Sequence, residues 1–440
     1  MGASHFRTGE AFGRQIIAYA EKYGNRIERK TCAMITAIAI EGFKTLEKVS
    51  LTLGNLNFLS GTNASGKSNF FDGLRVLQGI GYGLTIDEIF NGKPKTAYSD
   101  LWEAIRGGSS QANFVRRGDA PLNGKNREIR FSATLKYPNK SSEDIKYYIS
   151  ISADRGWVAR EKLLIGNRPV FAAEILDTTA CSGGLEVLYN GGDRRKFDRS
   201  RPVLHQLLGD GICSELDATY LKHCIRTLSN MQHLAPDPAT LRNYSQHRAV
   251  KRMGDRGENF AALVKTIIAD EGEKTAFRSW MEQLMPDDLN DICILEGALG
   301  EPLFAIADRG HHYPAPVLAD GTLRFAAITA AFFQPDNPAI LTLEDIETGI
   351  HPSKMRLLVE LLANLSGHLP IQAIAITRSP QLLNWLGPEH YSTIFVCKRD
   401  EATGATRIVP LSEITQFLKI APRHPLGDLL AEGWFEGGVI

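Results

Sequence analysis

"LSGTNASGKSNFF", residues 59–71, fits the pattern G-x-x-x-x-G-K-S, with Gly61, Gly66, Lys67 and Ser68 in the fixed places. The apolar run Asn55 to Leu59 before it reads as a short buried strand and Ser68 to Leu77 after it as a helix, the strand, loop and helix context that the pattern requires. Glycines let the backbone wrap a polyphosphate so that successive N–H groups point inward. Lys67 is placed to reach the terminal phosphates, and the Ser68 hydroxyl to join a Mg²⁺ shell. The helix that follows turns its positive end toward the same anion. Asn63, Ser65 and Asn69 complete the set of candidate phosphate-loop contacts, so ATP with Mg²⁺ is the expected ligand.

Bulk properties narrow the class without naming a partner. The 440 residues suffice for two or three domains. Fifty basic residues balance fifty acidic ones, so no global field draws the chain to nucleic acid or membrane. Six scattered cysteines with no C-x-x-C pair argue against a zinc site or a disulfide framework. No apolar run approaches the roughly 18 to 20 residues of a membrane span, and no signal-peptide core is present. A soluble, cytoplasmic protein is expected.

Residues 1–33 stand apart, with helical spacing at Phe12, Ile16, Tyr19, Ala20 and Tyr23. They read as a packing helix, as an extension ahead of a start at Met34, or as a partner-binding helix. From Ile35 onward "ITAIAI" and "VSLTL" predict an antiparallel pair across "EGFKTLEK". "REIRFSATLKY" and "IKYYISISA" predict a hairpin, and "WVAREKLLIG" a further strand. After about residue 202 apolar residues recur three and four apart, a helical texture, until "DICILEG" and "EPLFAIAD" suggest another strand pair. The expected division is an N-terminal extension at 1–33, a lobe with the phosphate loop and a β-subdomain at 34–166, a mainly helical insertion with a hairpin at 167–310, and a second lobe at 311–440. Heptads are not sustained, which excludes a long coiled coil.

The second informative region is 318–352, "LADGTLRFAAITAAFFQPDNPAILTLEDIETGIHP". A helix is predicted from about Gly321 to Phe333, then a buried strand ending in Glu344 and Asp345. At the C-terminal end of a parallel strand these carboxylates suit a Mg²⁺-linked acid and a water-activating base. Unpaired N–H groups at Gly321 and Thr322, next to Asp320, would offer a helix dipole to an anion.

These motifs carry a resemblance. "LADGTLRF", "LTLEDIETGIHP" and "AITRSPQLLNWL", together with the phosphate loop, resemble the signature, acidic strand and switch of the RecF/SMC/OLD-like branch of ABC ATPases. Among these the chain is most similar to short bacterial ATPases without a coiled coil, over roughly Ile35 to the C-terminus. "LAPDPATLR", "GENFAALV" and "LGDLLAEGWFEGG" are weaker echoes. The resemblance implies an α/β fold: an ABC/SMC-like P-loop NTPase head with an antiparallel β-subdomain and a helical insertion between P-loop and signature. It implies two copies paired head to tail, with ATP between one P-loop and the other copy's Asp320, Gly321 and Thr322. It assigns Glu344 and Ser68 to Mg²⁺ and Asp345 to the base. Glu347 is expected to be a solvated turn residue, and His351 and Pro352 to shape the turn facing the partner copy.

Three departures bear on rate. Ala319 replaces the signature serine, Arg378 stands where the switch histidine sits, and Glu344-Asp345 reverses the usual acidic order. Arg378 cannot act as a neutral acceptor, but its fork of donors suits transferring phosphate charge. Slow hydrolysis is expected. "RRKFDRSR" (194–201) and "HRAVKRMGDR" (247–256) are solvated faces or phosphate-contact patches for DNA. Arg116 and Arg117 lie in a segment where relatives sense nucleotide or partner, and His311 and His312 lack ligand spacing for a metal. No Asp-x-Asp follows "TRSP", so no fused Toprim nuclease is expected. By kinship the chain would act beside a separately encoded effector, such as a Toprim-type nuclease, in antiphage defence. A RecF-like DNA clamp and a non-hydrolysing ATP-gated scaffold stay open beside it.

Overall fold

The computed structural model describes residues 34–95, 101–119, 128–137, 143–174, 184–190, 192–246 and 248–436. The helix read at residues 1–33 lies outside them. The described chain gathers into two compact units, one running to Met231 with Tyr391–Arg423 added, the other formed by Gln232–His390 and His424–Glu432.

The first unit is built on an antiparallel sheet ordered β2-β1-β4-β5-β6-β7-β8-β9. Its strands are β1 (Met34–Phe43), β2 (Leu46–Thr52), β4 (Ile129–Lys136), β5 (Ile145–Ser152), β6 (Trp157–Ile165), β7 (Arg168–Glu174), β8 (Leu185–Tyr189) and β9 (Asp193–Phe197). Period-two alternation gives the sheet one apolar face, with Ile38, Ile40, Phe131, Tyr147, Leu163 and Phe171 all buried. The helix after the phosphate loop, α1 (Lys67–Gly81), lies on that face. A side chain at Gly73 would stand 2.6 Å from Ile40 Cδ1, so glycine sets how close helix and sheet come. Helix α2 (Val203–Asp210) and helix α3 (Glu215–Ser229) follow. A second group of strands joins β3 (Leu56–Ser60) in parallel to β16 (Ile394–Arg399), which pairs antiparallel with β17 (Thr406–Pro410).

The hairpins over β1–β2 and β4–β5 and the strand β6 stand where the alternation placed them. Two readings change. The strands β1 and β2 run far into "EGFKTLEK", leaving Lys44 and Thr45 as the turn, with Lys44 at φ 50°. Residues 168–197, assigned above to the insertion at 167–310 that carries a hairpin, continue the sheet as β7 to β9. Pro169 in β7 and the unbroken polar run "DRRKF" of β9 hide the alternation, because β9 is an edge strand and needs no inward residue except at Phe197.

In the other unit β10 (Met231–Leu234), β14 (Ile340–Leu343) and β15 (Gln372–Thr377) lie side by side, β14 and β15 parallel. Helices α4 (Phe260–Ile267), α5 (Glu271–Leu284), α6 (Asp320–Phe333) and α7 (Met355–His368) belong to it. A small antiparallel sheet, β11 (Asp291–Glu296), β12 (Pro302–Asp308) and β13 (His311–Pro314), adds one strand to the expected pair. Helix α6 is apolar on every side from Phe325 to Phe333 and is buried throughout that length, as such a helix must be. Its end is fixed by Gln334, whose side chain accepts from the Met253 N–H at 2.9 Å and donates to Gln232 at 2.6 Å.

Candidate nucleotide site

In the first unit the loop between β3 and α1 has the shape of a phosphate cradle. Gly61 has φ 151° and Gly66 φ 100°, and a Cβ on either would stand 2.2 Å from the Cys397 carbonyl oxygen or 2.1 Å from Thr406 Oγ1. Only glycine fits either place. The Lys67 ammonium, 4% exposed, donates to the carbonyls of Gly61 (2.6 Å) and Thr62 (2.7 Å) and to Ser65 Oγ (3.2 Å). Nucleotide phosphates would replace these carbonyls as partners. Asn69 turns back to Thr45 Oγ1 at 2.7 Å, which also receives Thr406 Oγ1 at 2.7 Å; Asn69 therefore braces the β1–β2 turn.

Two cations not singled out from the sequence sit beside this helix. Arg106 grips Asp72 on α1 through Nε and Nη2 and donates to the Ser68 carbonyl at 2.7 Å. Lys44 reaches the same Asp72 carboxylate; burial pulls its pKa below the usual lysine value, against the pull of Asp72. The signal for Lys44 was its place in the tight turn, whereas nothing near Arg106 marked it.

In the other unit α6 opens at the signature. Ala319 is its N-cap and carries no acceptor, so the first-turn N–H groups receive no side-chain cap. Asp320 is the first helical residue, and its carboxylate takes a 2.6 Å bond from Arg242, which also holds the Leu318 carbonyl at 2.8 Å. Arg242 closes the echo "LAPDPATLR", which now has a reason: it fixes the signature loop. A Cβ on Gly321 would stand 2.3 Å from the Gly349 carbonyl oxygen, locking this helix start to the turn after the acidic strand.

Asp345, just beyond β14, has φ 47°, a left-handed conformation that aspartate tolerates better than most residues. Arg378 Nε lies 3.3 Å from Asp345 Oδ1. The Arg378 backbone N–H donates to Glu347 Oε1 at 2.7 Å, while Glu347 Oε2 is buried and bonded to nothing. Glu347 therefore does not behave as a solvated turn residue: it turns inward and ties the end of the acidic strand to the end of β15. His351 caps the short turn Pro352–Lys354 by accepting from the Ser353 N–H.

The basic stretches are largely spoken for. Arg194 pairs with Glu186, Arg195 with Asp210, and Arg199 stacks 3.5 Å over the Trp157 ring. Arg252 pairs with Asp336, Arg116 with Glu47, and Arg117 donates to the Glu401 carbonyl at 2.6 Å. His312 Nδ1 lies 3.2 Å from Cys293 Sγ, and among the described residues no group of three ligands could hold a metal. No described helix is long and apolar enough to cross a membrane.

A family model described as "AAA domain, putative AbiEii toxin, Type IV TA system" matches residues 303–384, the span from β12 through the signature helix and acidic strand to the switch. Solved structures similar to the chain include an SMC head bound to the C-winged helix domain of ScpA, 14% identical, covering 88% of this chain and 99% of that one at a TM-score of 0.49. The SMC head domain from Thermotoga maritima is 12% identical, with 86% and 98% covered at 0.42. An SMC head from Pyrococcus furiosus, with an extended coiled coil and bound to a ScpA C-terminal domain, is 11% identical, with 89% and 100% covered at 0.48. Comparison with curated proteins returned no match.

The residues present fit ATP and Mg²⁺. Gly61 and Gly66 pack so closely on Cys397 and Thr406 that neither place admits a side chain, and Lys67 supplies the cation at the start of the helix. When bound, Mg²⁺ would neutralise phosphate charge, with the Ser68 hydroxyl as its candidate ligand in this unit.

Proposed function

We propose that the protein is a slow ATPase whose two copies pair head to tail around ATP, one copy's phosphate loop facing the other's Asp320, Gly321 and Thr322. The observation that carries this reading is the start of α6. Its N–H groups carry no cap at Ala319, and the loop before it is braced by Arg242, so a phosphate is the acceptor that completes it. Asp345 serves as the base that orients water, Glu344 as the acid on the Mg²⁺ side, and Arg378 as a donor to transferring phosphate charge. Slow turnover is the expectation set by Ala319, Arg378 and the reversed Glu344-Asp345 order. Kinship supports a role beside a separately encoded effector in antiphage defence, with ATP-driven pairing holding or releasing that partner.

The test is the mass of the native particle with and without ATP. The wild type is expected to double with ATP, Lys67→Ala to stay single and lose ATP binding at the phosphate loop, and Asp345→Ala to remain doubled with unhydrolysed ATP. Normal hydrolysis by Asp345→Ala would remove the base assignment, and a single-copy particle saturated with ATP would remove the pairing. Co-purification with the product of a neighbouring gene tests the effector.

A further inference from the structure

The face of the eight-stranded sheet opposite α1 holds a hollow of about 440 Å³, lined by residues of β1, β4, β5, β6 and β7. Register explains its shape. Across one row stand Ala39, Ser132, Tyr148, Lys162 and Ala172, and across the next Glu41, Arg130, Ser150, Arg160 and Glu174. Alanines and serines make a low floor around one aromatic ring, and long side chains make the rim.

The charges are not arranged as on a solvated sheet. Arg130 pairs with Glu41 at 3.3 Å. Arg160 and Lys162 enter no ion pair among the described residues, although Glu174 stands across from Arg160 in the register. The Lys162 ammonium lies 4.5 Å from the centre of the Tyr148 ring. Two cations outside any ion pair, on the rim of a concave floor with one aromatic ring, describe a receptor for an anion that carries a flat ring.

We infer that this hollow binds a nucleoside monophosphate, its phosphate held by Arg160 and Lys162 and its base against Tyr148. The volume falls within the roughly 300 to 1,000 Å³ of small-molecule sites and far exceeds a bare phosphate. A polynucleotide is the poorer fit. Glu41 on one side and Glu174 with Glu186 on the other interrupt the cations along the row, so a continuing line of phosphates would meet carboxylates. The site is independent of the phosphate loop and of the pairing proposed above.

The experiment is calorimetric titration of the full chain with AMP, GMP, CMP and UMP. At least one should bind, and Lys67→Ala should bind it as well as the wild type. The double variant Arg160→Glu/Lys162→Glu should lose roughly tenfold or more in affinity, because charge-assisted contacts to phosphate are replaced by repulsion. Both substituted residues are exposed, so a folded variant is expected; Tyr148→Leu provides a second loss of affinity without a change of charge. The inference fails if no mononucleotide binds, if Lys67→Ala abolishes binding while the double variant keeps it, or if an oligothymidylate binds more tightly than every mononucleotide.

Discussion

Asp345 and Arg378 meet at a distance that decides their working state. Both side chains are about half exposed, 41% and 51%, and an exposed ion pair contributes under about 1 kcal/mol. Little energy is therefore needed to hand Arg378 from the carboxylate to a phosphate. Arg378→Ala is expected to lower kcat by roughly a hundredfold or more with KM little changed, since arginine donors to transferring phosphate are worth that much; an unchanged or raised kcat would make the residue a brake only. Glu161 is the residue for a pH test. It is fully buried and accepts from the N–H groups of Val203 (2.6 Å) and Leu204 (3.1 Å) and from the Tyr147 hydroxyl (3.0 Å). Burial outweighs these donors and pushes it up to about 7 from an ordinary 4.5. A raised carboxyl stabilises the fold most fully below its unfolded value, and that contribution is lost as pH rises through the folded value. Stability should therefore fall by up to about 3 kcal/mol between pH 4.5 and 7 from this group alone. Urea unfolding of Glu161→Gln across that window should show a flatter slope; an equal slope would refute the assignment.

Among the elements, α1 and α6 are placed by glycines and not by their apolar faces alone. At the end of α1 a Cβ on Gly81 would lie 2.3 Å from the Ser229 nitrogen and 2.6 Å from the Leu228 carbonyl carbon of α3. Backbone cannot give way as a side-chain tip can, so Gly81→Ala should cost about 1 to 3 kcal/mol, read as a lower melting temperature; a neutral change would mean that the helices slide apart freely. At α6 the missing cap predicts the opposite sign. Ala319→Ser restores an acceptor for the first turn and should stabilise the chain by about 1 kcal/mol, measured by the same melting curve, and tighten ATP-dependent pairing.

For the whole molecule, the two units each hold part of the proposed chemistry: the phosphate loop with Lys67 in one, the signature, Asp345 and Arg378 in the other. Ligand binding to the folded state should raise overall stability by about 2.7 kcal/mol at a hundred times the dissociation constant. ATP with Mg²⁺ should therefore raise the melting temperature of the wild type and leave that of Lys67→Ala where it was. Equal shifts in both would place the nucleotide somewhere other than the phosphate loop.

The sequence by itself determined the phosphate loop, the helix from the signature to Phe333, the buried acidic strand and the first five strands of the large sheet. Those features follow local rules: glycine spacing fixes backbone shape, and two-residue or three-to-four-residue periodicity fixes which face is buried. Tertiary structure decided what depends on distant partners. Glu347 looks like a turn residue until the Arg378 N–H, 31 positions away, is seen to take its carboxylate. Arg242 is one arginine among many until it closes on Asp320, 78 positions on. The strands β7 to β9 pair because an open sheet edge needs backbone partners, a demand that leaves no periodic trace in "DRRKF". Contacts between residues far apart in the chain are made by the folded backbone, and no local pattern encodes them.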